Sequence, residues 1–176
     1  MRRYLAIAFL ALGLSAILGL QSGDYTQNEL FTIYLVRHAE KDLSVNSGGN
    51  PPLTECGLER AEKLSLLLSD VPLDVVYSTG YIRTKSTALP TAKSKGLETQ
   101  EYSAGNLEAF SKLLLEQKED ALVVGHSNTT AVLAGLLIGE ELADIDLDTY
   151  NRVYQVVIDK KNSRLHLLHT AFECKD

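Results

Sequence analysis

Phe31-Thr32-Ile33-Tyr34-Leu35-Val36 runs without a charge into Arg37-His38-Ala39-Glu40-Lys41, and the break between the two halves decides the fold. Six apolar or β-branched residues in a row read as a strand buried on both faces. The charged residues then sit at its carboxyl end. Open α/β sheets bind ligands at that edge. A cation next to a histidine at such an edge suggests an anionic ligand. Taken alone, the pair fits a solvated loop equally well, so its meaning depends on the rest of the chain.

Working outward, Asp42 to Pro52 is rich in Asn, Ser and Gly and reads as a loop that Pro51-Pro52 stiffens. Thr54 is a suitable N-cap for a helix through about Ser69, with Leu58, Ala61, Leu64, Leu67 and Leu68 as its apolar stripe. Val75-Val76-Tyr77 reads as a short strand ending at Ser78-Thr79-Gly80. The next helix, Tyr81 to Lys95, contains Pro90, which is expected to end or kink it. Leu97 to Tyr102 is a weak strand, and Asn106 caps a helix to about Lys118. Ala121 to Val124 is a further buried strand, turning through Gly125-His126-Ser127-Asn128 into an apolar helix, Thr129 to Ile138. Val153 to Asp159 and Leu165 to Thr170 read as a hairpin. Strands alternating with helices imply an α/β three-layer sandwich. The closing hairpin makes its central sheet mostly, not wholly, parallel.

The chain has 176 residues, enough for one domain with a real core. Its net charge of −6 argues against a nucleic-acid binder, which works by neutralising phosphates. Arg2 and Arg3 precede Tyr4 to Leu20, which carry no charge. A basic start before an apolar run is the pattern of an export signal. As a helix the run would span about 25 Å, a little short of a hydrocarbon core of about 30 Å. Residues 1–23 are therefore expected to be a signal peptide cleaved near residue 22 or an uncleaved membrane anchor. Residues 24–29 form a linker, and the periplasm or cell envelope is the expected location. Cys56 and Cys174 fit one disulfide in an oxidising compartment, and equally two unrelated thiols; no close pair suits zinc.

Three strand ends carry chemistry: Arg37-His38, then Ser78 with Arg83 just beyond, then Gly125-His126. In a parallel sheet these ends converge on one pocket. Arginine offers paired donors to phosphate oxygens. Positive neighbours keep an imidazole neutral, with a free lone pair that can attack phosphorus. Gly125 is expected to let the backbone approach the anion. His166 and His169, three apart on a strand, face opposite sides and are read as non-functional.

Arg37-His38-Ala39-Glu40 resembles the Arg-His-Gly/Ala-Glu signature of the histidine phosphatase superfamily, also called phosphoglycerate-mutase-like. Pro52-Leu53-Thr54-Glu55-Cys56-Gly57, the segment Tyr77 to Thr84, and Val123 to Asn128 are similar to further motifs of that family, in its order. The likeness spans roughly Thr32 to Gly135 and is to the small branch. It implies that residues 30–176 form a metal-independent phosphatase domain without a cofactor, acting on a phosphorylated small molecule or phosphoprotein. His38 would become phosphorylated, with Arg37, Arg83 and His126 completing the phosphate pocket and Ser78, Ser127 and Asn128 as further donors. Glu40 and Lys41 would position the loop. The family needs an acid for the leaving alcohol. Glu101 is the nearest carboxylate in the loop after the third strand, where Ser103 stands at a position that relatives often fill with an acid. In the large branch an Asp follows the second histidine; here Ser127 does. Either Glu101 is the acid or none is present. The sequence leaves room for a phosphate-binding module without turnover, for a metal-dependent hydrolase built on His38, His126 and Glu40, and for a phosphoglycerate-type mutase, the last two disfavoured.

Overall fold

The computed structural model describes residues 30–160 and 162–174. The expected signal or anchor and its linker lie outside the described residues. The quoted apolar run forms β1, Phe31–Arg37. Its side chains alternate between two cores: Phe31, Ile33 and Leu35 join one, Tyr34 and Val36 the other. That explains why no charged residue interrupts the run, since a central strand has no wet face.

The remaining elements are α1 (Glu55–Leu67), β2 (Val75–Ser78), α2 (Ile82–Lys95), β3 (Thr99–Glu101), α3 (Leu107–Gln117), β4 (Ala121–Gly125), α4 (Thr130–Ile138), β5 (Arg152–Ile158) and β6 (Ser163–His169). The six strands form one sheet in the order β3-β2-β4-β1-β5-β6. β3, β2, β4 and β1 pair in parallel, whereas β5 runs antiparallel to β1 and β6 antiparallel to β5. The expected α/β sandwich with a mostly parallel sheet is therefore the observed architecture. Leu64 and Leu68, at the end of α1, and Ala88 and Ala92 of α2 cover one face, and Phe110, Leu114, Leu133 and Leu137 of α3 and α4 cover the other.

The local signals for helix starts hold. The Thr54 hydroxyl accepts from Gly57 N at 3.0 Å, and Asn106 Oδ1 accepts from Ala109 N at 3.1 Å. The apolar stripe of α1 is narrower than expected. Ala61, Leu64 and Leu68 are buried, but Leu58 and Leu67 are about half exposed, at 52% and 50%. At about 100° per residue Leu67 points well away from Ala61, and the buried face is completed instead by Gly57 and Ser65. Pro90 does not end α2, which continues to Lys95 and closes on Gly96 in the left-handed conformation. A proline removes one helical hydrogen bond, to the carbonyl four residues back, and that carbonyl belongs to Ser86, which is only half-buried. The following turn keeps its bonds, with Leu97 N donating to Ala92 O at 2.9 Å.

Candidate functional site

β2, β4 and β1 are neighbours and parallel, so their carboxyl ends meet at one place. β1 delivers Arg37 and His38. β4 delivers His126, and the turn after β2 delivers Thr79 and, in the first turn of α2, Arg83. The ladder continues one step past β1, with His38 N donating to Gly125 O at 2.9 Å. That bond sets the two histidine rings side by side, centroids 5.5 Å apart.

His38 is almost wholly buried. Its Nδ1 lies 2.7 Å from Ala39 O, a carbonyl that can only accept. The proton therefore sits on Nδ1, and Nε2 keeps its lone pair. Burial, with the charges of Arg37, Arg83 and His126, lowers the His38 pKa to about 3, although the Ala39 carbonyl opposes the shift. The ring is neutral at any physiological pH. His126 is lowered to about 4 by burial and by Arg83, Arg37 and Lys41. Its Nε2 is 3.0 Å from Thr79 Oγ1, and its Nδ1 is 3.5 Å from Arg83 Nη2. A guanidinium can only donate, so Nδ1 accepts from Arg83, and the proton sits on Nε2, which donates to the Thr79 hydroxyl. Thr79 is in turn fixed by Thr84 Oγ1 at 2.9 Å. Ser78 was the expected donor from this turn, but it is fully buried and donates to Thr79 O at 3.1 Å; its neighbour makes the contact with His126.

The arginines define the electrostatics. Arg37 Nε, Arg83 Nε and Arg83 Nη1 are buried and have no hydrogen-bond partner in the protein. Among the described residues neither side chain forms an ion pair. Burial pushes both below the usual arginine range, yet guanidinium stays charged in proteins. Several buried donors and two uncompensated charges around a neutral imidazole make a cavity for an oxyanion. Arg37 Nη1 is used otherwise: it donates to the carbonyls of Asp146, Leu147 and Thr149 at 3.0, 2.6 and 3.0 Å. This clamp on a distant segment has no signal in the sequence around Arg37.

Other expected residues fall at the margin. Ser127 is half-buried, and its carbonyl accepts from Ile145 N at 3.1 Å; Asn128 is exposed. Glu101 ends β3 opposite Ser78, beside the Gly80 turn, with its side chain 60% exposed and 2.8 Å from Lys85. Glu40 turns to Arg60, 2.6 Å away, which fits its expected part in holding the loop. His166 and His169 lie exposed on the edge strand β6. Gly125 is required, but for a different reason than expected. A Cβ there would lie 2.8 Å from the Tyr102 hydroxyl and 2.9 Å from Thr129 Oγ1, so packing beneath the site, not approach to an anion, excludes a side chain. Cys56 and Cys174 form a disulfide with Cα atoms 5.7 Å apart, settling the choice the sequence left open.

Residues 33–104 match the family model described as histidine phosphatase superfamily, branch 1. No curated protein matches the chain. Among solved structures, the alpha-ribazole phosphatase from Shigella flexneri is similar with a TM-score of 0.65 at 18% identity, over 83% of this chain and 100% of that one. The protein histidine phosphatase SixA, solved with tungstate, gives 0.65 at 18% identity over 79% and 97%. Phosphoglycerate mutase from Bacillus anthracis gives 0.62 at 15% identity over 79% and 92%. At these identities the solved structures speak for the fold. The sequence match to branch 1 of the histidine phosphatase superfamily runs from β1 through β3 and includes Arg37, His38 and Arg83, and the fold around it is the one these solved structures share.

Proposed function

We propose that the chain hydrolyses phosphate monoesters in two steps through a phosphohistidine on His38, without a metal ion. The observation that carries this is the set of buried, unpartnered guanidinium N–H groups of Arg37 and Arg83 around an imidazole whose Nε2 lone pair is free. In the first step Nε2 attacks phosphorus, the P–O bond to the alcohol breaks, and the alkoxide takes a proton. In the second, water attacks phosphorus and gives up a proton to the carboxylate that protonated the alcohol, the P–N bond breaks, and inorganic phosphate leaves with the imidazole restored. Arg37 and Arg83 stabilise charge on the equatorial oxygens as it develops, with His126, held against Arg83, completing the pocket. Ser127 and Asn128 stand at the rim as further donors. Glu101 is the proposed proton source; its pair with Lys85 must open for it to reach a leaving group. A metal ion suits this donor set poorly, because two arginines stand beside the histidines and Arg60 already holds Glu40.

The substrate in this reading is a phosphorylated small molecule or phosphoprotein outside the cytoplasm. Export is supported by the apolar run behind Arg2-Arg3 and by the disulfide, which persists in oxidising compartments. Recovery of the full chain, Met1 included, as a soluble cytosolic protein would refute export and the membrane tether alike.

Rapid-quench labelling with a phosphorylated substrate, in the presence of chelator, tests the chemistry. The label is expected on protein, acid-labile and base-stable, and absent in a folded His38→Ala variant. Normal turnover by that variant sinks the mechanism, and loss of turnover in chelator points to a metal enzyme. Phosphate binding without turnover identifies a binding module. Glu101→Gln is expected to slow alkyl phosphates by about 100-fold while sparing aryl phosphates, whose leaving groups need no acid.

A further inference from the structure

The two site arginines carry full charge without a carboxylate to hold them. Each lies instead on a tyrosine. The Arg83 guanidinium carbon sits 4.3 Å from the centre of the Tyr81 ring, and that of Arg37 sits 4.1 Å from the centre of the Tyr150 ring. We propose that Tyr81 and Tyr150 are positioning residues of the phosphoryl site: each lends a ring face to one guanidinium, fixing its place without cancelling its charge. This rests on the phosphatase reading above and adds to it how the anion-binding groups are held.

The physics favours a ring over a carboxylate in this setting. A carboxylate fixes an arginine by occupying the same N–H edges that a phosphate would use, and it neutralises the charge. A ring contacts the flat face of the guanidinium through its quadrupole and leaves the edges free. In agreement, the Nε and Nη1 of Arg83 and the Nε of Arg37 have no partner. The backbone explains how each ring arrives. Tyr81 is the N-cap residue of α2, in extended conformation (φ −82°, ψ 145°), two residues before the arginine it supports. The same ring stands edge-on to His126, centroids 5.1 Å apart, so it buttresses two members of the site. Tyr150 comes from elsewhere in the chain. It lies two residues before β5, which pairs with β1 as far as Val36 opposite Val153, one residue short of Arg37. The carbonyls that Arg37 clamps, from Asp146 to Thr149, belong to the segment that carries Tyr150. Arginine and tyrosine thereby hold each other.

The test measures tungstate binding by calorimetry and aryl phosphate kinetics on the full protein, for leucine and phenylalanine variants at both positions. Tyr81 is 42% exposed, so Tyr81→Leu should fold, and a thermal melt checks this. Each leucine variant is expected to bind tungstate about 3- to 30-fold more weakly, the range a partly desolvated cation–ring contact supplies, with KM raised more than kcat is lowered. Tyr81→Phe and Tyr150→Phe keep the ring face and should restore binding to within about twofold. Tyr81→Glu should bind more weakly than Tyr81→Leu, because its carboxylate would take the free edge of Arg83. Leucine variants that melt earlier yet bind tungstate normally would show a merely structural role and overturn the proposal. Phenylalanine variants as weak as leucine would assign the effect to the hydroxyl and overturn it too. Absence of tungstate binding by the unaltered protein would refute the phosphatase reading and take this proposal with it, whereas unchanged leucine variants on a binding background refute the tyrosine assignment alone.

Discussion

Arg83 and Arg60 are two arginines of one fold in opposite states. Arg60, on α1, uses every nitrogen: Nε contacts both Glu40 oxygens at 2.9 Å, Nη2 reaches Oε1 at 2.6 Å, and Nη1 donates to Phe172 O at 3.0 Å. Arg83, on α2, has two buried nitrogens with no protein partner. Both stack on a ring, Arg60 on Phe172 at 5.0 Å and Arg83 on Tyr81 at 4.3 Å. A carboxylate is therefore what separates them. Where charge is cancelled and every donor used, the arginine fastens the chain: it ties the loop after His38 to the carboxyl-terminal segment, beside the Cys56–Cys174 disulfide. Where charge is left bare, the arginine has no structural reason to be buried, and an anionic ligand supplies one.

Removing each arginine is the strongest way to break the comparison. Arg83→Ala should lower kcat by about 100- to 1,000-fold, as loss of one donor to developing charge does, with little change in melting temperature. Arg60→Ala should do the reverse. It strands the Glu40 carboxylate, with a cost on the order of 2–3 kcal/mol, below the figure for a fully buried pair because both side chains keep some exposure, 12% and 16%. Kinetics at low temperature and a denaturant titration read both; equal effects on activity would erase the distinction.

Reduction of the disulfide sharpens it from the structural side. The bridge spans a sequence separation of 118 residues, so opening it should cost about 2–5 kcal/mol and lower the melting temperature by roughly 5–15 °C. Tungstate affinity below the melt should stay within about twofold, since the bridge lies in the Arg60 corner. A parallel loss of affinity would show that the corner and the anion site are one unit.

Acid is the mildest probe and acts on the bare site. Unfolded histidines take up protons near pH 6.5. In the folded protein His126 holds off protonation to about 4 and His38 to about 3. Between those values and 6.5 the unfolded chain binds more protons, so stability should fall as pH drops from 6.5, by at most about 1.4 kcal/mol per unit for each histidine. Denaturant midpoints between pH 7 and 5 should show a shallower slope in His38→Ala than in the unaltered protein; equal slopes would place His38 in contact with solvent. Activity should persist into mild acid, because neutral His38 does.

The sequence alone was enough for whatever depends on neighbours along the chain. The uncharged run Phe31 to Val36 reads as a strand buried on both faces. Thr54 and Asn106 mark helix starts because a cap bond closes within three residues. Arg37, His38, Arg83 and His126 were legible as a set, since strands alternating with helices pair in parallel and put their carboxyl ends on one edge. Tertiary structure decided the rest, where the partner lies far along the chain. Arg37 meets carbonyls 109 to 112 residues away only because β5 turns back antiparallel beside β1. Thr79 rather than Ser78 reaches His126 because Ser78 ends β2 fully buried and donates to Thr79 O, while Thr79 opens the turn that faces the end of β4. Cys56 meets Cys174 because the last described segment folds back over the start of α1. Local order along the chain sets which element forms and where its ends lie; which distant residues those ends meet follows from strand order and register, which only the assembled sheet specifies.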